Sequence, residues 1–71
     1  MLLVINGQSR EFPELSAETK IIDLLVVLGL KNDRVALEQN GEIVSRAVWA
    51  ETPVRSGDKL EIVHFVGGGC S

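Results

Sequence analysis

The chain is predicted to be an α+β domain, a mixed sheet of four to five strands packed on one helix. Three observations predict it. Asn6-Gly7 and Asn40-Gly41 each sit between short runs with strand character. That dipeptide is the strongest short-range hairpin signal, because both residues tolerate positive φ in a type I′ turn. Ile21, Leu24, Leu25 and Leu28 recur at i, i+3, i+4 and i+7, the stripe of one amphipathic helix. A last apolar run, Leu60 to Val66, leads directly into Gly67-Gly68-Gly69. Hairpin, helix, short hairpin, last strand is an α+β order.

Leu2 to Ile5 is apolar on both faces, which suits a central strand at least partly covered on both sides. The return strand is Gln8 to Phe12, with Arg10 toward solvent and Phe12 inward. Pro13 has no N–H to donate and ends the pairing. Glu14 to Glu18 connect to a helix over Lys20 to Leu28, with Thr19 as its N-cap. Gly29 fits the left-handed position past the helix end, and Leu30 is placed to fold back onto the last turn. After the polar loop Lys31-Asn32-Asp33, Arg34 to Gln39 reads as a strand, and Glu42 to Val44 as its short return. Arg46 to Glu51 carries no decisive pattern. Within it Trp49, the only tryptophan, reads as a core plug over the sheet edge in preference to a partner contact. Thr52-Pro53-Val54 and Ser56-Gly57-Asp58 are turn-rich, with Asp58 a turn residue before the last strand.

The last strand, Leu60 to Val66, does not alternate cleanly. Leu60, Ile62, His64 and Val66 share one face, whereas Val63 and Phe65 fall on the other. A sheet covered by one helix has one buried face, so apolar residues on both predict a second cover or an exposed patch. Exposed patches of this kind mark partner sites. Val63, Phe65 and Val66 are the predicted docking residues.

Size and charge exclude several classes. Seventy-one residues make one domain with one modest core. Ten acidic residues against seven basic give a net charge of −3, with no Lys/Arg cluster. That argues against nucleic acid, whose binding needs a concentrated basic face, and suits a basic protein partner. A single cysteine excludes an internal disulfide. The start of the chain has no charged leader or cleavage site, and no apolar run approaches the roughly 20 residues of a membrane span. A cytoplasmic location is expected.

The simplest arrangement sets the first and last strands side by side and parallel, in a β-grasp or ubiquitin-like fold. It predicts a domain over 1–66 and a flexible tail over 67–71. A glycine run at such a place is either a frayed terminus or a presented peptide. Without side chains it can lie extended in a channel too narrow for other residues.

Nearly the whole chain resembles the ThiS family, the ubiquitin-like sulfur carriers of thiamine thiazole biosynthesis. The resemblance is carried by Ile5-Asn6-Gly7, by Thr19 with Asp23-Leu24-Leu25 and Leu28-Gly29-Leu30, and by Val35-Ala36-Leu37-Glu38. It continues through Asn40-Gly41-Glu42-Ile43-Val44, Arg46, Trp49 and Gly57-Asp58, and closes with Glu61 through Gly69. It implies that Gly69, preceded by Gly67 and Gly68, is the residue modified. Its carboxylate would be adenylated with ATP and converted to a thiocarboxylate. The implied partners are a ThiF-like adenylating enzyme, a persulfide sulfur donor and a ThiG-like thiazole synthase. The chain itself is then a protein cosubstrate, not an enzyme, and ATP belongs to the partner. The departure is Cys70-Ser71, which follow the glycine that is normally last in the family. As written Gly69 ends in an amide, which cannot be adenylated. Either a peptidase trims Cys70-Ser71 as a pro-segment, or the tail works differently, or the two residues are foreign to the natural chain.

Other chemistry finds little support. Cys70 has no helix terminus, His or Lys nearby in sequence to lower its pKa, so a persulfide-carrying or nucleophilic role is a minor alternative. His64 has no second histidine, and a metal site needs three or four ligands, so no metal is expected. The glycines lack the Lys-Ser/Thr and following helix of a phosphate loop. Two further readings stay open. One is a carrier of the same fold serving molybdopterin or another thio-metabolite. The other is a β-grasp binding module with an inert tail.

Overall fold

The computed structural model describes residues 1–64; Phe65 to Ser71, including the end of the predicted last strand and the whole glycine tail, lie outside the described residues. The elements are β1 (Leu2–Ile5), β2 (Gln8–Glu11), α1 (Ile21–Val27), β3 (Val35–Gln39), β4 (Glu42–Ile43) and β5 (Lys59–His64). Short 3-10 turns span Asn32–Arg34 and Arg46–Val48. The sheet order is β2-β1-β5-β3-β4. β1 and β5 run parallel, and the other neighbours run antiparallel. The predicted β-grasp arrangement is therefore present, with β5 at its centre. The predicted boundary between residues 66 and 67 lies outside the described residues.

Both Asn-Gly pairs form the expected turns, with Asn6 at φ 52°, Gly7 at 83°, Asn40 at 54° and Gly41 at 88°. The inner face of the sheet and α1 enclose one apolar core. Leu3 and Ile5 of β1, Leu37 of β3, and Leu60 and Ile62 of β5 meet Ile21, Leu24 and Leu25 of the helix. Trp49 is buried among them as predicted, and its indole N–H donates to the Val44 carbonyl at 2.9 Å. The stretch around Trp49, undecided by pattern, is a 3-10 turn. Its first N–H groups are met by Ser45, whose hydroxyl accepts from the Ala47 N–H at 3.3 Å.

The helix is shorter than predicted and is not capped by Thr19. Lys20 is the N-cap, extended at φ −102° and ψ 166°, because it pairs with Pro53 in an isolated antiparallel bridge. The chain cannot turn into the helix until Ile21. The first helical N–H groups are taken by backbone instead: Ile21 donates to Thr52 O at 2.9 Å and Ile22 to Trp49 O at 3.3 Å. Asp23 accepts from the Lys20 N–H at 3.1 Å, one half of a capping box. Lysine cannot supply the other half, since its side chain has no acceptor. The Thr19 hydroxyl serves the preceding turn, accepting from the Ser16 N–H at 3.0 Å.

The helix end follows the predicted Schellman pattern. Gly29 at φ 75° donates to Val26 O at 3.0 Å, and Leu30 donates to Leu25 O at 2.9 Å. β2 and β4 end one residue before their predicted bounds, and β3 starts one residue after its own. Phe12 lies past β2 but is buried, and its N–H still donates to Met1 O at 2.8 Å. Arg10 is exposed as expected, with its guanidinium 5.1 Å from the Phe12 ring centroid. Arg34 belongs to the 3-10 turn before β3, and Val44 lies past β4 while still donating to Leu37 O at 3.0 Å.

Candidate functional site

β5 is the strand that leads in sequence to Gly69, so its anchorage decides where the tail begins. It pairs with β3 over five residues, from Gln39↔Leu60 to Val35↔His64. Against β1 the ladder is short, only Val4↔Lys59 and Ile5↔Leu60. Asn6 then continues it. Its N–H donates to Leu60 O at 2.9 Å. Its side-chain Oδ1 accepts from the Ile62 N–H at 2.7 Å, and its Nδ2 donates to Ile62 O at 3.2 Å. The pairing of an acceptor with an N–H and a donor with a C=O fixes the orientation of the amide.

At the opposite end of β5, Asp58 gathers three donors. The Asn40 side chain reaches Oδ1 at 3.1 Å, while the Gln39 side chain and the Arg55 N–H reach Oδ2, each at 2.9 Å. Asn40 Oδ1 also accepts from the Lys59 N–H at 2.9 Å. Burial pushes the Asp58 carboxyl up. The hydrogen bonds from Arg55, Asn40 and Gln39 and the Arg55 charge outweigh it and hold the group below its ordinary value. Asp58 is thus more than the turn residue expected of it.

The outer face of the sheet carries the predicted patch. Val63 is 59% exposed and lies opposite Ala36 of β3. Ile43 of β4, 80% exposed, stands opposite Glu38, which in turn faces Glu61. Ala36, Ile43, Val63 and the two glutamates line a shallow cleft of about 130 Å³. Of the three predicted docking residues Val63 is where parity placed it, and Phe65 and Val66 lie outside the described residues. Ile43 escaped the sequence reading because a two-residue strand shows no alternation. His64 shares the parity of Leu60 and Ile62 but is exposed at the end of β5. Among the described residues no three His, Cys, Asp or Glu side chains converge to hold a metal ion. No helix there is long and apolar enough to cross a membrane. Gly67, Gly68, Gly69, Cys70 and Ser71 lie outside the described residues.

A β-grasp body whose central last strand leads in sequence to a glycine run is the layout of the ubiquitin-like proteins. Comparison narrows the class. The model of the ThiS family matches residues 3–69, and the chain belongs to that family. The crystal structure of the thiamine biosynthesis protein ThiS from Geobacter metallireducens superposes with a TM-score of 0.83 at 31% identity, covering 97% of this chain and 100% of that one. The sulfur carrier protein ThiS of Bacillus subtilis is 37% identical over 68 residues, 96% of this chain and 100% of that protein. A thiazole synthase of Paramagnetospirillum magneticum is 49% identical over 69 residues, 97% of this chain. The chain spans about a fifth of the length of that relative.

Proposed function

We propose that this chain is a sulfur carrier of thiamine thiazole synthesis and that Gly69 carries the sulfur. The observation that bears most weight is the family match reaching to residue 69, together with the full-length likeness to a sulfur carrier protein. In this reading the chain is a cosubstrate, not an enzyme, and binds no nucleotide itself.

The chemistry explains the need for a bare carboxylate. Cys70-Ser71 must first be hydrolysed from Gly69 by a peptidase. A ThiF-like adenylating enzyme then joins the carboxylate oxygen to the α-phosphate of ATP, releasing pyrophosphate. The terminal sulfur of a donor persulfide attacks the carbonyl carbon and AMP leaves. A second thiol cleaves the resulting acyl disulfide, leaving the thiocarboxylate and a new disulfide between the two thiols. Gly67 and Gly68 let the carbonyl reach a narrow nucleotide site without steric cost. The thiazole synthase relative, a fifth of which this chain spans, supports a ThiG-like synthase as the acceptor partner.

Docking of the adenylating enzyme belongs on the outer face around Val63. Glu38 and Glu61 stand directly opposite each other there. Like charges so placed destabilise a sheet, and basic groups on a partner relieve them. The apolar cleft beside them supplies area for contact.

The test is intact mass of two forms, the full chain and a chain ending at Gly69. Each is incubated with ATP, the adenylating enzyme, a persulfide donor and a thiol. Only the shorter form is expected to gain the thiocarboxylate. If neither is modified, the inert-tail binding module becomes the better reading. If a molybdopterin-pathway enzyme modifies it and the thiamine one does not, the carrier serves that other route.

A further inference from the structure

We infer that Asn40 is a modification site: in the folded chain its side-chain amide deamidates onto the Gly41 nitrogen, whereas Asn6, in the same dipeptide, is protected. The inference holds whatever the chain carries.

The reaction needs a side-chain amide carbon and a following backbone nitrogen with no side chain in the way. An Asn-Gly pair supplies both, and the chain has two such pairs. Each glycine lies between the paired residues of its hairpin, Ile5↔Gln8 or Gln39↔Glu42, so its N–H is outside the ladder. At Asn40 solvent base takes the Gly41 N–H proton, and the nitrogen attacks Cγ. A C–N bond forms, the bond from Cγ to Nδ2 breaks, and ammonia leaves with a proton from water. Water then opens the cyclic imide. Cleavage at Cγ gives aspartate. Cleavage at the main-chain carbonyl gives isoaspartate, whose backbone runs through the former side chain.

Tertiary contact separates the two sites. Each amide is held against β5, and its hydrogen bonds must break before Cγ can turn onto the following nitrogen. Asn6 makes both of its bonds to one residue, Ile62, at 2.7 and 3.2 Å, and both are partly buried. Asn40 spreads its bonds over the Lys59 N–H at 2.9 Å and Asp58 Oδ1 at 3.1 Å, and both are exposed. The hairpins differ as well. β1 and β2 pair over four residues each. β4 has two residues, paired with β3 at Glu38↔Ile43 and Gln39↔Glu42. Short, exposed pairings open at lower free energy than long, buried ones, so the Asn40 amide is released more often.

The product damages its own surroundings. Converted to aspartate, the side chain can still accept from the Lys59 N–H. It then sets a second carboxylate against Asp58, where a donor stood before. Isoaspartate lengthens the main chain between Gln39 and Glu42 and so displaces Ile43, which is 80% exposed on the outer face. Ageing at Asn40 therefore reaches both the entry of β5 and the face proposed for docking.

For the test, the full chain is aged in mildly alkaline buffer with and without urea. Peptide masses locate the exchange of –NH2 for –OH. In the folded chain Asn40 should be lost about fivefold faster than Asn6, and in urea both should react faster, at rates within about twofold of each other. Equal rates in the folded chain, or faster loss at Asn6, would overturn the inference. A ratio unchanged by urea would do the same, because flanking sequence and not the fold would then set the order. So would an Asn40 that stays intact when folded over the time in which it is consumed in urea. Asn40→Asp carries one product from the start and tests the damage separately. Its amide hydrogen exchange should be about threefold faster than the parent's at Lys59 and unchanged at Ile62. Parental exchange at Lys59, or equal acceleration at both amides, would refute local damage at the entry of β5.

Discussion

The two Asn-Gly turns are nearly the same object in backbone terms. Asn6 and Asn40 differ by 2° in φ (52° and 54°), and both side chains reach across to β5. Their neighbours make them different. Asn40 grips the entry of β5, at Lys59, and shares a carboxylate cluster with Gln39 and Arg55. Asn6 grips the strand near its far end, at Ile62, with no charged group involved. A turn dipeptide fixes local geometry, and tertiary contact decides which end of β5 its amide holds.

The largest expected effect is on the entry side. Asp58→Ala removes the acceptor of three hydrogen bonds and should cost about 2–3 kcal/mol in urea unfolding, with kcat for adenylation unchanged. A loss no greater than that of Asn40→Gly would mean that the cluster does not act as a unit. Next come the two asparagines. Each glycine variant forfeits two side-chain hydrogen bonds, so each should lose about 1–2 kcal/mol. Equal stability losses with unequal Ile62 exchange would sharpen the contrast, and equal exchange would erase it.

Acid separates the turns further. The folded Asp58 carboxyl lies below its ordinary value of 3.8. Its stabilisation is therefore complete above that value and is lost as pH falls through the lower folded one. Unfolding midpoints between neutral pH and about pH 2–3 should show this acid loss in the parent and in Asn6→Gly. The loss should be weaker in Asn40→Gly, and this component should vanish in Asp58→Asn. The smallest effect is shared. Gly7→Ala and Gly41→Ala meet no atom within 4 Å but must hold φ near 83° and 88°, which should cost each about 1 kcal/mol in thermal or urea unfolding.

Much of the fold was legible because its rules are local. The helix stripe, the Gly29 cap and both hairpin turns follow from spacing and permitted φ. The parallel pairing of first and last strands followed from element order. Thr19 misled because the helix start is set by the Lys20–Pro53 bridge, a contact between stretches far apart in sequence. The site divides the same way. Val63 was placed by strand parity, and Ile43 had too short a strand to show any. The partners of Asn6 and Asn40 lie 56 and 19 residues away, beyond any local signal. Gly69 was legible only as sequence and lies outside the described residues.

The place of β5 between β1 and β3 also sets an order in time. Without it the sheet falls into two separate hairpins, the β1–β2 and β3–β4 pairs, and isolated hairpins are marginal in water. During synthesis the sheet can close only after residue 64 has emerged, and Gly69 is five residues behind it. The outer face formed by Ala36, Ile43 and Val63 comes into being at that same moment. Ribosome-bound or prematurely terminated chains without β5 therefore have no such face to offer.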